Sequence, residues 1–218
     1  MAPETWEKAH DLSMELFENL FYKVRYLYIA RKGGIDREGK HNQFRMLFDS
    51  GITNNPSKEL GNHYNILCDD ISKDVVDARL KHKDCTLVRP IEKSEKALAG
   101  YGWLVHPSTH SIWHDKILVP VDCPLLFNAK IFENYRGRGI FTAMHFSRIN
   151  HVFENYTDKC MIVVEQSNTD VLPAYDSWGW EPEGINYLYK VFGVNMVSVV
   201  HLPEKSQTHF VLTKSSLP

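Results

Sequence analysis

The spacing of apolar residues is helical through the first part of the chain and turns to alternation from about Cys85, with helical stretches between later strands. From about Thr5 to about Arg31, the residues Leu16, Phe17, Leu20, Phe21, Val24, Leu27 and Tyr28 recur every three or four positions. That spacing predicts one helix with an aromatic stripe, capped by Thr5 and stopped at Gly33-Gly34. Such a stripe is core packing more often than a lipid or partner surface. Lys40 to Phe48 reads as a second, shorter helix, and Ser50 to Asn62 as a loop broken by Gly51, Asn54-Asn55-Pro56 and Gly61. Asp69 to Lys81 reads as a third helix, with Asp69, Asp70 or Ser72 as cap and Ile71, Val75 and Leu80 inward.

Alternation then takes over. Cys85 to Ile91 and Leu98 to His106 read as two strands of a hairpin, turning through the polar EKSEK segment. The stretch HPSTHSIWHD reads as a loop. Leu125 to Phe132 is a strand, Thr142 to Phe153 a helix with Met144, Ile149 and Val152 among its apolar positions, and Cys160 to Glu165 a strand. Pro173 to Trp178 is a short helix closed by Gly179. Tyr187 to Phe192, Val194 to His201 and Thr208 to Thr213 are further strands. The expected class is mixed α+β, with a strand-helix-strand crossover in its second half.

Composition narrows the function classes. The 218 residues are 43% hydrophobic and 24% charged, which is ordinary for a globular protein. A net charge of -2 gives no electrostatic footprint for nucleic acid. No apolar run approaches the length of a membrane span, and the polar start MAPETWEKAHDLS is no secretory signal. Cys68, Cys85, Cys123 and Cys160 lie far apart and form no C-x-x-C pair, so they read as scattered reduced thiols of a cytoplasmic protein.

The candidate chemistry centres on Arg136-Gly137-Arg138-Gly139, a turn between a strand and a helix. A P-loop would need a Gly-Lys-Ser/Thr ending, and a dinucleotide fingerprint a third glycine where Thr142 stands. A simpler anion site fits better. The first amides of a helix lack intrahelical partners, and its dipole favours negative charge there. Glycines clear the approach, and arginine forks suit phosphate oxygens. The bland alternative is a glycine-containing helix start with exposed arginines.

A second segment shifts the balance. In NTDVLPAYDSWGW, the residues Asn168, Val171, Tyr175, Gly179 and Trp180 fall at offsets of 0, 3, 7, 11 and 12. Together with Tyr135-Arg136-Gly137-Arg138-Gly139-Ile140, this resembles the GNAT superfamily, the Gcn5-related N-acetyltransferases. That family's first motif is Arg/Gln-x-x-Gly-x-Gly/Ala and its second is Asn-x-x-Ala-x-x-x-Tyr-x-x-x-Gly-Phe. Arg136 and Gly139 match the first; Asn168, Tyr175 and Gly179 match the second, with Trp180 in place of Phe. Phe141 and Val171 depart from the pattern, each being larger than the family's residue. The resemblance is specific from about Ile131 to Trp180.

The resemblance implies a single domain over residues 1–218. Residues 1–84 would form a helical N-terminal segment, and 85–213 a central, mostly antiparallel twisted sheet with flanking helices. It implies an N-acyltransferase using acetyl-coenzyme A as co-substrate, with no metal. Its acceptor would be a primary amine of a small molecule, attacking the thioester directly in a ternary complex. Long-chain acyl-coenzyme A or acyl carrier protein donors remain open, as does a coenzyme-binding module without catalysis. Arg136, Gly137, Arg138, Gly139, Ile140 and Phe141 would receive the pyrophosphate. The backbone near Lys130 and Ile131 would hold the pantetheine arm, and Asn168 would bond that arm or cap the next helix. Tyr175 would be the acid that protonates the departing thiolate. Glu165 is a candidate base, weighed against a solvated strand-end carboxylate; Glu133 would lie nearer the phosphates. Trp103, His106 and Trp113 would shape an acceptor pocket, weighed against a surface loop with two buried tryptophans. His106, His110 and His114 are four apart, but Pro107 argues against the helix a metal site would need. The N-terminal helices would cover the acceptor site or serve a homodimer contact.

Overall fold

The structure is a computed structural model, described here for residues 21–34, 42–52, 55–106, 111–114, 117–120, 123–168, 170–191, 194–201 and 209–213. The chain divides into two compact units. One comprises the described residues within Ala30–His110 and Val121–Ile162, the other those within Met1–Ile29, Ser111–Pro120 and Val163–Pro218.

In the first unit, strand β2 (Phe44–Ser50) leads through three short helices, α1 (Pro56–Leu60), α2 (Asn62–Asp70) and α3 (Lys73–Lys81), into β3 (Cys85–Glu92) and β4 (Gly100–Val105). Strand β7 (Leu125–Ile131), a 3-10 turn (Glu133–Tyr135), helix α4 (Ile140–Asn155) and the start of β8 (Lys159–Glu165) complete it. The strand order is β2-β3-β4-β7-β8. All pairs are antiparallel except β7 with β8, which run parallel with Leu125 opposite Met161 and Leu126 opposite Ile162. A parallel pair needs a crossover, and α4 supplies it.

Strand β3 is buried along nearly its whole length because helices cover both of its faces, α3 on one and α4 on the other. On the α4 side, Phe44, Val88, Ala99, Ile131, Ile140 and Met144 form a single cluster. Ile140 is the first residue of α4 and Ile131 the last of β7, so this cluster anchors both sides of the turn between them.

In the second unit, β1 (Phe21–Arg31) pairs antiparallel with β9 (Glu181–Val191), β9 with β10 (Val194–His201), and β10 with β11 (His209–Thr213). A separate hairpin joins β5 (Ser111–His114) to β6 (Ile117–Pro120). Helix α5 (Leu172–Ser177) follows β8.

The structure corrects several expectations in the N-terminal part. Phe21–Arg31 is a strand, not the end of a helix; its expected start, from Thr5 to residue 20, lies outside the described residues. Leu27, Tyr28, Ile29 and Ala30 are all buried, so both faces of β1 are covered and alternation is lost. Phe44–Ser50 is likewise a strand, not part of a helix. The helix expected over Asp69 to Lys81 breaks at Ile71, which is extended. The break resets the phase, so Val76 rather than Val75 turns inward with Leu80. The expected loop after Ser50 contains α1, because Pro56 sits at its first turn and the Asn55 side chain accepts from the Lys58 amide. The histidine-rich stretch holds strand β5 rather than a continuous loop, and its residues 107–110 lie outside the described set.

Candidate functional site

Strand β7 is not regular. Opposite β4, Trp103 faces Phe127 but Tyr101 faces Lys130, so β7 carries one extra residue between them. Asn128, at φ 44, takes up the kink. A bulge of this kind bends the strand and re-aims the residues after it. Those residues are Lys130 and Ile131, the expected pantetheine segment.

The chain then turns through Glu133–Tyr135 and reaches Arg136. Gly137 and Gly139 both have φ 73, in the left-handed region where any other residue is strained. A Cβ placed on either would meet nothing within 4 Å, so backbone conformation rather than crowding selects glycine. Gly139 is the N-cap of α4, and the first intrahelical bond runs from the Ala143 amide to its carbonyl at 3.0 Å. By helix geometry the amides before Ala143 have no intrahelical acceptor.

Arg136 and Arg138 are exposed around this turn. Arg136 Nε donates to the Ile131 carbonyl at 3.2 Å, tying the turn back to β7, and its Nη1 lies 3.8 Å from Glu133. Arg138 lies over the Tyr135 ring at 5.4 Å and 4.0 Å from Glu92. These ion pairs are loose and open to solvent, so an anion could compete for both guanidinium groups. Ile140 is buried, and Phe141 packs against the core cluster, stacked on His145 at 6.0 Å.

On the other face of β7, Lys130 and Tyr101 both donate to Asp70 at the end of α2. Burial pushes the Asp70 carboxyl up, but the Lys130 and Tyr101 hydrogen bonds outweigh it and hold the group below its ordinary value. Burial and Asp70 push the Tyr101 phenol up.

The second motif lies in the other unit. The Asn168 amide donates to the Glu165 carbonyl at 2.9 Å, and its own carbonyl accepts from Val171 at 3.4 Å. Val171, not Asn168, holds the N-cap position of α5. Tyr175 is buried, with 3% of its surface exposed. Its ring stacks on Tyr28 at 6.1 Å and meets Trp178 and Trp180 edge-on at 5.6 and 5.8 Å. Glu165 ends β8, half-buried.

The three expected acceptor residues have different settings. Trp103 is fully buried, with Arg79 over its ring at 5.2 Å, which makes it core rather than pocket lining. His106 is half-buried and packs on Tyr156 at 4.6 Å. Trp113 lies on β5, in the other unit.

Three solved structures share this architecture. A GCN5-related N-acetyltransferase from Sphaerobacter thermophilus matches with a TM-score of 0.53 at 9% identity, over 80% of this chain and 53% of that one. The glucosamine N-acetyltransferase region of a fungal multi-domain GH3 β-N-acetylglucosaminidase matches at 0.52 and 14%, over 81% of this chain and 22% of that protein. The fold is that of the GCN5-related N-acetyltransferases. A Drosophila protein matches at 0.50 and 8%, over 85% and 56%. The chain thus spans about half the length of the first of these GNAT-fold structures. No protein-family model matches the sequence, and no curated protein is significantly similar to it. At these identities it is the fold that is shared. Within that GNAT fold, the first motif occupies the crossover turn from β7 to α4.

Sequence reasoning missed Arg148 and His145. Both are fully buried polar residues of α4. Arg148 falls four residues after Met144 and four before Val152, on the helix's apolar face, and that misplaced charge was the available signal. Among the described residues no helix is long and apolar enough to cross a membrane, and no group of three His, Cys, Asp or Glu could hold a metal. All four cysteines are free thiols.

Proposed function

We propose that the protein is an acyl-coenzyme A-dependent N-acyltransferase, with acetyl-coenzyme A as donor and a primary amine of a small molecule as acceptor. One observation carries the reading: a left-handed glycine turn, flanked by two exposed arginines, opens α4 directly after a bulged strand in a GNAT fold. The turn receives the pyrophosphate through its amides, Arg136 and Arg138. The backbone at Lys130 and Ile131 pairs with the pantetheine arm, and Asn168 bonds the same arm. The amine attacks the thioester carbon, a tetrahedral intermediate forms, and coenzyme A leaves as the thiolate that Tyr175 protonates. Glu165, directly or through water, takes the ammonium proton. No metal takes part, and the setting is cytoplasmic.

Thermal unfolding with acetyl-coenzyme A tests the donor. A ligand at ~100 times its Kd adds about 2.7 kcal/mol to the native state. Thiol release across a panel of amines then tests turnover, and a series of longer acyl chains tests the donor's length. No thermal shift with acetyl-, longer acyl- or free coenzyme A would sink the proposal. A second reading, coenzyme binding without turnover, draws on the burial of Tyr175 among three aromatic rings.

A further inference from the structure

Helix α4 carries a cation into the core at the place where two strands slip register. Arg148 Nη1 donates to the Trp103 carbonyl on β4 at 3.2 Å and reaches the Phe127 carbonyl on β7 at 3.5 Å. Its Nη2 lies 3.3 Å from His145 Nδ1. A guanidinium only donates, so Nδ1 accepts and the His145 proton sits on Nε2. Burial and the Arg148 charge hold this imidazole well below its usual range, so it stays neutral beside the cation.

The two carbonyls belong to facing residues. Trp103 and Phe127 are opposite each other, at the edge of the bulge. Beyond them Gly102 faces two residues, Asn128 and Ala129. Gly102 also lies against the guanidinium: an added Cβ would stand 3.0 Å from Nη1 and 3.2 Å from Cζ, and 3.2 Å from the flexible Met144 Cε. The clamp therefore depends on a small residue below it and two carbonyls beside it.

A bulge competes with the regular register, and a one-residue slip would turn the side chains that follow it to opposite faces. It would also redirect the backbone groups of Lys130 and Ile131. Arg148 bridges both strands in the bulged register. It lies roughly 13 Å along the same helix from the Gly139 turn. The helix that starts at the anion turn thus grips the strand expected to hold the coenzyme arm.

We propose that Arg148 is a positioning residue for the coenzyme, clamping the β4–β7 bulge so that Lys130 and Ile131 keep their placement relative to the Gly139 turn. This rests on the coenzyme reading above. The test combines acetyl-coenzyme A titration calorimetry with amide hydrogen exchange over residues 127–131. Arg148→Met removes the donors and keeps the length; Gly102→Ala crowds the guanidinium from the other side. Each is expected to weaken binding on the order of ten-fold and to speed exchange at 127–131 ahead of the rest of the unit. The double variant should be little worse than either single, because both break one contact. Arg148→Lys should restore part of the affinity. Leu80→Ala, at a fully buried position of α3, controls for a general loss of stability.

The proposal is overturned if Arg148→Met binds like wild type, or if its exchange resembles that of Leu80→Ala at equal stability. Should Arg148→Met not fold, Gly102→Ala and Arg148→Lys carry the same two readouts. If wild type binds no acyl-coenzyme A, the positioning role falls together with the proposed function, even where 127–131 exchange selectively. If wild type binds and only the Arg148 results are flat, this inference alone fails.

Discussion

The Arg136–Gly139 turn and the Asn168–Trp180 segment carry the two halves of one resemblance, yet they are built in opposite ways. The turn is exposed, its glycines border open space, and the ion pairs of its arginines with Glu133 and Glu92 are long, at 3.8 and 4.0 Å. What fixes it lies underneath, where Ile131 and Ile140 share a core cluster. In the second segment the residue of interest is itself the anchor: Tyr175 is buried among Tyr28, Trp178 and Trp180. A ligand could reach the first without rearrangement of the core. For the second, packing alone would account for a tyrosine. A sequence motif therefore weighs differently according to whether packing already explains its residues.

The largest expected effects would break this contrast outright. Gly139→Asp puts a carboxylate where the pyrophosphate is to bind and forces a non-glycine residue into the left-handed region, so its fold is checked by circular dichroism first. Coenzyme affinity should fall about 100-fold or more, cutting the roughly 2.7 kcal/mol that ligand at ~100 times the wild-type Kd provides to about 0.4 kcal/mol or less. A thermal shift that persists in this variant would remove the coenzyme from the turn. Tyr175→Phe keeps the three ring contacts and deletes only the hydroxyl. An acid role predicts a kcat lower by about 100-fold with a melting temperature close to wild type. An unchanged kcat would leave Tyr175 as a core aromatic and favour a different proton donor.

The same distinction governs what could be read from the chain. The crossover was legible: Leu125–Ile131, α4 and Lys159–Glu165 lie within a few residues of their expected bounds, because Met144, Ile149 and Val152 keep helical spacing and the short apolar strands beside them do not. The glycine turn was legible because positive φ demands glycine. Strand β1 was not. Buried on both faces, it presents Leu27, Tyr28, Ile29 and Ala30 in succession, and spacings of three and four arise in any such run. The break at Ile71 was hidden because it follows from tertiary packing rather than from a glycine or proline. Trp103 was misplaced because a tryptophan near histidines looks like a pocket until its burial is known. Arg148 shows the reverse case: a charge on an apolar helical face was visible, but its purpose depends on a register slip between two strands that no local pattern displays.

A smaller effect separates the two regions by pH. His145, beneath the turn, is held neutral by burial first and by Arg148 second, so its folded pKa lies well below its unfolded value near 6.5. As pH falls below about 6.5 the unfolded chain takes up a proton that the native state refuses. Stability should then drop by up to about 1.4 kcal/mol per pH unit until the folded pKa is reached. His145→Gln keeps an acceptor for Arg148 and should flatten this limb in denaturant titrations between pH 6.5 and 5. An equal slope in the variant would move the acid sensitivity elsewhere. Tyr28, Trp178 and Trp180, the rings packed on Tyr175, carry no group that titrates between pH 5 and 6.5, so Trp178→Phe should leave the limb intact.

The smallest effect tests whether the arginines of the turn act as charges at all. Arg136 is exposed and already shared between the Ile131 carbonyl and Glu133. Replacing it by alanine should cost coenzyme binding about 0.5–1 kcal/mol at low salt, a few-fold in Kd, and less as salt screens the contact. Glu133→Gln should act in the opposite sense, tightening binding slightly by releasing the guanidinium and removing a negative charge beside the phosphates. Calorimetry of both variants at two salt concentrations decides it. Opposite signs that converge at high salt mean the turn binds its anion partly through side-chain charge. If neither variant differs from wild type, the α4 amides and the glycine backbone do the binding, and the arginines are only its solvated rim.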